Sequence, residues 1–200
     1  TPGHYSFNQD AWSWMKGHVM DFVVPQIYWE INSNHPYEKL LADWIANSGG
    51  RWVVPGSRTA KTIAGEGPKP LAGLLGEWQT AADQGAAGNC FWQWASLADV
   101  PPGEFQSYYE ALREGPYKDK VPTPQMPWKT NPTTGYITGY VLDENGEPVV
   151  DDRVQLMGDD YTYLTGWDGF FTIVDVLPGT THSLSATKYG TGSAELPGVS

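Results

Sequence analysis

The residues with chemical reach gather at three points of the chain. Gln26, Tyr28, Trp29 and Glu30 close or follow an apolar run at 19–28 (VMDFVVPQIY). Ser57 and Arg58 follow a second run at 51–56 (RWVVPG), and Trp92, Gln93 and Trp94 end a third at 89–94 (NCFWQW). Aromatic faces stack on pyranose rings, and amides and a guanidinium hydrogen-bond hydroxyls, so the set suits a sugar. Hydrolysing a glycosidic bond needs two carboxyl groups, about 5 Å or about 6.5–9.5 Å apart according to the stereochemistry. Glu30 is the carboxylate at the end of a run, and Glu66, between two glycines in a long loop, is the candidate partner. The plain alternatives are a solvated loop residue for Glu30 and a turn residue for Glu66. Asp21 stands at the opposite end of its run, where barrel positions serve stability.

These positions need elements to hold them. A nearly continuous apolar run such as 19–28 predicts a strand buried on both faces. Tyr37, Leu40, Leu41, Trp44 and Ile45 recur at helical spacing, predicting a helix over 36–47 with Pro36 at its first position and Gly49-Gly50 as its stop. A helix over 71–84 puts Leu74, Leu75, Trp78 and Ala82 on one face, and further helices are predicted at 8–16 and 102–113. The three strands begin roughly thirty residues apart, the spacing of parallel βαβ units. An eight-fold barrel needs about 250 residues, so three units are either a small open sheet or the tail of a larger barrel.

Composition narrows the functions. The 200 residues hold 12 basic and 23 acidic side chains, a formal net charge of −11, which argues against nucleic acid and against a polybasic membrane contact. The single cysteine, Cys90, rules out an intrachain disulfide and a cysteine-based zinc site; within an apolar strand it reads as an inert buried thiol. His4, His18, His35 and His182 lack ligand spacing, and Asp151-Asp152 and Asp159-Asp160 read as solvated turns rather than a Ca²⁺ site. No cofactor motif and no transmembrane-length apolar run is present. The outlier is aromatic content, 10 Trp, 11 Tyr and 6 Phe. Trp12, Trp14, Trp44 and Trp78 fall on predicted helices and read as core.

Nine of the ten tryptophans precede residue 129, and 115–133 holds five prolines, which favours an extended connection. Domains are therefore expected at 1–128 and 134–200, joined by a linker at 129–133. Residues up to 128 carry 9 basic and 13 acidic side chains; the remainder carry 3 and 10. The second part alternates and turns every eight to twelve residues: strands near 136–142, 153–157, 161–165, 170–174 and 182–187, with turns at Asn145-Gly146, Asp168-Gly169 and 177–179. That pattern predicts a β-sandwich. Val154, Leu156, Phe171, Ile173, Leu184 and Ala186 are its inward residues.

Residues 18–31 (HVMDFVVPQIYWEI) resemble the Asp-x-(apolar)-Pro-Gln-(Ile/Leu)-Tyr segment of the glycoside hydrolase family 10-like lipoproteins. The order continues through the helix at 37–44, the strand Val53-Val54-Pro55-Gly56, the segment at 88–97 (GNCFWQWASL) and an exit segment from Pro116-Tyr117 to Pro127-Trp128. The resemblance implies the last three βα units of a (β/α)8 barrel in a secreted, extracellular or cell-envelope protein. It further implies a glycoside hydrolase acting on polysaccharide by carboxylate acid/base chemistry; Gln26, Tyr28, Trp29, Arg58, Gln93 and Trp94, at the carboxyl ends of the strands, are the expected substrate contacts, and no cofactor is expected. The acidic string on an earlier strand of that family (Asp-Asp-Tyr-like) is absent before residue 128.

Residues 134–190 resemble the carboxypeptidase regulatory-like domain, a transthyretin-like sandwich. The resemblance rests on Ile137-Thr138-Gly139-Tyr140-Val141, Gly146-Glu147-Pro148-Val149, Val154-Gln155-Leu156, 165–171 (TGWDGFF) and Val176-Leu177-Pro178-Gly179. Residues 190–200 read as too short and too rich in small residues to supply the closing strand. Both ends then look cut, so the chain is expected to be a fragment, inactive alone, with a homodimer or a missing N-terminal barrel segment as its partner. A non-catalytic carbohydrate-binding or structural module is the alternative reading.

Overall fold

A computed structural model of the chain describes residues 9–59, 69–93, 104–188 and 192–200. The chain divides into two compact units, residues 1–124 and 125–200.

In the first unit, short strands alternate with helices: α1 (Ala11–Lys16), β1 (Phe22–Val23), α2 (Tyr37–Ala46), β2 (Trp52–Val53), β3 (Gly56–Arg58), α3 (Leu71–Asp83), β4 (Cys90–Trp92) and α4 (Glu104–Glu114). Asp10 caps α1 by accepting from the Ser13 amide. Pro36 stands one place before α2, and Gly49 at φ +60° turns the chain out of the segment beyond it. Gly49 also lies so close to Met15 and His18 that a Cβ there would come within 2.8 Å of the Met15 carbonyl.

Among the described residues of this unit, strand pairing is parallel. Phe22 pairs with Trp52, Val23 with Val53, Gln26 with Gly56, Gly56 with Cys90, Ser57 with Phe91 and Arg58 with Trp92. The register is continuous, so β2 and β3 form one line broken at Val54-Pro55, flanked by β1 and β4. Helices cover one face. Val23, Ile27 and Val53 are buried there with Met15, Tyr37, Leu41 and Ala81. Leu74, Trp78 and Tyr108 form a second cluster with Phe91.

Here the structure corrects the expectation of a strand buried on both faces. Burial over 22–27 alternates: Phe22, Val24 and Gln26 are exposed, while Val23, Pro25 and Ile27 are buried. Period-2 geometry sends alternate side chains to opposite faces, and among the described residues only one face is covered. Cys90 is exposed for the same reason, not buried as its apolar neighbours suggested. The helical stripe is also shifted by one residue: Ala81 is buried and Ala82 exposed. The described residues form an open parallel ladder.

The second unit contains α5 (Pro127–Thr130) and β5 (Gly135–Tyr140), β6 (Arg153–Leu156), β7 (Tyr163–Leu164), β8 (Phe170–Val176), β9 (His182–Lys188) and β10 (Gly192–Val199). β5 pairs antiparallel with β8, and a second antiparallel sheet runs β10-β9-β6-β7. Both open sheets feed one core of Val154, Leu156, Tyr163, Phe171, Ile173 and Leu184. Asp143 orders the turn before Gly146 by accepting from the Asn145 and Glu147 amides, and those bonds hold its carboxyl below the usual range. Gly139 passes against the Phe171 ring so closely that a Cβ would meet it at 2.8 Å.

Residues 192–199 are a second correction. They were expected to supply no strand, yet Gly192 to Leu196 pair in sequence with Lys188 to Leu184, with an irregularity between Leu196 and Val199. Backbone hydrogen bonds, not apolar content, define this strand, which is why composition missed it.

Candidate functional site

The open face of the parallel ladder collects most of the predicted contacts. Arg58 and Trp92 are register partners on neighbouring strands, and Gln26 bridges to Gly56 one pleat away. Their side chains share a face because the register is in phase across all three lines. Trp92 is 48% exposed, Gln26 is exposed and Arg58 half-exposed. The Thr59 amide and hydroxyl both donate to the Trp92 carbonyl at 3.3 Å, fixing the end of β4 to the end of β3.

Tyr28 carries the ladder's first line beyond Ile27. Its hydroxyl is buried, and desolvation together with the nearby Cys90 pushes its pKa above the ordinary value. Trp29 leaves the ladder and lies 5.3 Å from the His35 ring, tilted at 32°. Gln93 is exposed immediately after β4. Trp94 and Glu66 lie outside the described residues. Gln26, Tyr28, Arg58 and Trp92 are thus brought to one face, with Trp29, Glu30 and Gln93 at its strand-end rim.

Glu30 is exposed in the turn after β1, and its backbone carbonyl accepts from the Ser33 and Tyr37 amides at 3.3 Å. This ties the turn to the start of α2. The Glu30 charge reaches Glu77 on the covered side of the ladder.

Beneath the ladder lies a polar cluster that sequence reasoning missed. Glu77, on α3, is 1% exposed, and Lys69, just before α3, is fully buried and donates to Glu77 Oε1. The Tyr108 hydroxyl of α4 donates to the Lys69 carbonyl. Ser57 of β3 lies between Tyr37 of α2 and Glu77. The Tyr37 and Ser57 hydroxyls and Glu77 Oε2 are buried without a hydrogen-bond partner of standard geometry.

Burial pushes the Glu77 carboxyl up to about 7; Lys69 and Ser57 oppose the shift and Glu30 adds to it. Burial, opposed by Ser57 and reinforced by Glu77, holds the Tyr37 hydroxyl far above its usual value. A signal was available: Leu74, Glu77, Trp78 and Ala81 share helical spacing, and a carboxylate inside an apolar stripe requires a partner. Among the described residues, no group of three or more His, Cys, Asp or Glu could hold a metal, and no helix is long and apolar enough to cross a membrane.

No family model and no curated protein matches the chain. Among solved structures, bee venom hyaluronidase is similar over 51% of this chain and 35% of its own, at 18% identity and a TM-score of 0.35. The endo-beta-1,4-mannanase from Thermotoga petrophila aligns over 94% of this chain and 48% of its own, at 14% identity and a TM-score of 0.33. Both names are those of polysaccharide hydrolases, and both likenesses are weak. The chain spans about a third to a half of the length of these two proteins.

Proposed function

We propose that this chain belongs to a secreted, glycoside hydrolase-like protein acting on polysaccharide, whose first unit is the closing part of a (β/α)8 barrel and whose second is a carboxypeptidase regulatory-like sandwich. The observation that carries the reading is the shared face of Gln26, Arg58 and Trp92 near the carboxyl ends of parallel strands, the side on which barrel enzymes place their sites. An indole and a phenol supply stacking surfaces, the amide and the guanidinium supply hydrogen bonds to hydroxyls, and Glu30 at the rim supplies a carboxyl for acid/base work. Glu66 is the proposed partner carboxyl. The protein lies outside the cytoplasm in this reading, and no cofactor takes part.

The test is release of reducing sugar by the complete protein. Glu30→Gln should lower it at least about 100-fold, the usual contribution of a positioned acid or base. Undiminished hydrolysis removes Glu30 from the mechanism.

A second reading is favoured by one observation: the described residues grouped on the open face, Gln26, Tyr28, Arg58 and Trp92, are aromatic, amide and guanidinium groups without a carboxylate. On that reading the face holds glycan without cleaving it. Retained binding with no hydrolysis in the complete wild-type protein, and loss of that binding in Trp92→Ala, would select it.

A further inference from the structure

The second unit presents a separate face that no reading above uses. On β5 and β8, register pairs alternate between the core and the outside. Ile137 opposite Ile173 and Gly139 opposite Phe171 point to the core, so Thr138 opposite Thr172 and Tyr140 opposite Phe170 point outward, with Tyr136 on the same side. Tyr136 is 74% exposed and Tyr140 62%. The Tyr140 and Phe170 rings meet edge to face at 5.3 Å, which fixes their orientation. Trp167, in the turn leading into β8, is 85% exposed. Exposed aromatics gathered on one sheet face, as Tyr136, Tyr140 and Phe170 are, mark a binding surface.

We propose that this outer face of the β5–β8 sheet binds a neutral glycan chain, with Tyr136, Tyr140 and Trp167 as stacking rings. Three features select that occupant. The face is small: Tyr136, Tyr140 and Phe170, 74%, 62% and 38% exposed, offer with the two threonines on the order of 400–500 Å², below the roughly 800 Å² per partner of a stable protein–protein interface, so a second copy of the chain is not what it fits. The pattern is aromatic and hydroxylic, with the Thr138 and Thr172 hydroxyls between the rings and the two phenol groups at their tips; a surface built for lipid would lack these donors and acceptors.

The charge is also selective. The face itself is uncharged, while residues from 129 onward carry 10 acidic and 3 basic side chains, which disfavours phosphates and anionic headgroups and leaves a neutral ligand unopposed. Tyr136 and Tyr140 are four residues apart on an extended strand, about 13–14 Å, so they engage separate rings of one chain rather than a single sugar. The inference is independent of the function proposed for the first unit.

The experiment is depletion of the whole chain by microcrystalline cellulose, insoluble β-mannan and chitin, with phosphatidylcholine vesicles as the lipid arm. Four forms are compared: wild type, Tyr136→Ala/Tyr140→Ala, Trp167→Ala and Tyr109→Ala. At least one polysaccharide should retain the wild type. The double variant should bind it at least tenfold more weakly and Trp167→Ala severalfold more weakly, while Tyr109→Ala, an exposed aromatic of neither proposed face, binds normally. Trp167→Ala protects the test if the double variant misfolds, since so exposed a residue carries no core contact. The proposal is overturned if none of the three polysaccharides retains the wild type, if both second-unit variants bind as wild type, or if Tyr109→Ala weakens binding as much as they do. It is equally overturned if the vesicles alone are bound through Tyr136 and Tyr140.

Discussion

Lys69 donates to Glu77 with both side chains buried, so the first unit carries an ion pair inside its helix-covered layer, directly below Ser57. Such a pair defines how the parts fit more than it stabilises them, because taking two charges out of water offsets their attraction. The asymmetry makes it testable. At pH 8 or above, where Glu77 is ionised, Lys69→Met alone should cost about 3–5 kcal/mol by leaving an uncompensated buried carboxylate or forcing it to take up a proton, whereas Lys69→Met with Glu77→Leu should cost far less. Denaturant unfolding of the two variants checks it, and equal losses would mean that the charges do not act as a pair.

Stability should also depend on pH through Glu77. Its folded pKa is raised from 4.5 to about 7, so the folded state holds a proton that the unfolded state releases. That contribution is fully present below about pH 4.5 and is lost as pH rises through about 7, by ~1–3 kcal/mol for this group. Thermal unfolding between pH 5 and 8 should therefore show a downward slope, and Glu77→Gln should flatten it. A slope unchanged in Glu77→Gln would place the dependence elsewhere.

Cys90 should react in the native state. It lies on the uncovered face, in register with Gly56 and two residues before Trp92. A maleimide added without denaturant should label one thiol per chain completely, and protection until unfolding would show that this face is covered in solution.

Gly139 tests the fit between β5 and β8. A Cβ at this position meets the Phe171 ring at 2.8–2.9 Å, and the ring is packed in the core. Gly139→Ala should destabilise the second unit by about 1–3 kcal/mol through overpacking. Combining it with Phe171→Leu should give less than the sum of the two losses, as expected for residues in contact.

Much of the scaffold was legible because its signals are local. The stripe of Tyr37, Leu40, Leu41, Trp44 and Ile45 specified α2, and Asn145-Gly146 and Asp168-Gly169 marked turns whose glycines have positive φ. What was illegible depended on neighbours distant in sequence. Whether Phe22, Val24 and Cys90 are covered is decided by what lies across the ladder, which strand composition does not encode. Ala81 and Ala82 are chemically identical, so only packing sets the phase of α3 between them. Glu77 and Lys69 are separated by one helical entry, and nothing in either residue alone announces burial. The candidate sugar contacts were readable as types at strand ends, whereas the grouping of Gln26, Arg58 and Trp92 required the register.

Beyond Leu196 the last strand contains Pro197 and then Gly198 at φ +76°, where its pairing with β9 becomes irregular. Proline has no amide hydrogen to give, so a visiting strand running along the outer side of β10 would find the ladder interrupted after five residues. An otherwise inviting border of the sheet is thereby made a poor template for fibre growth.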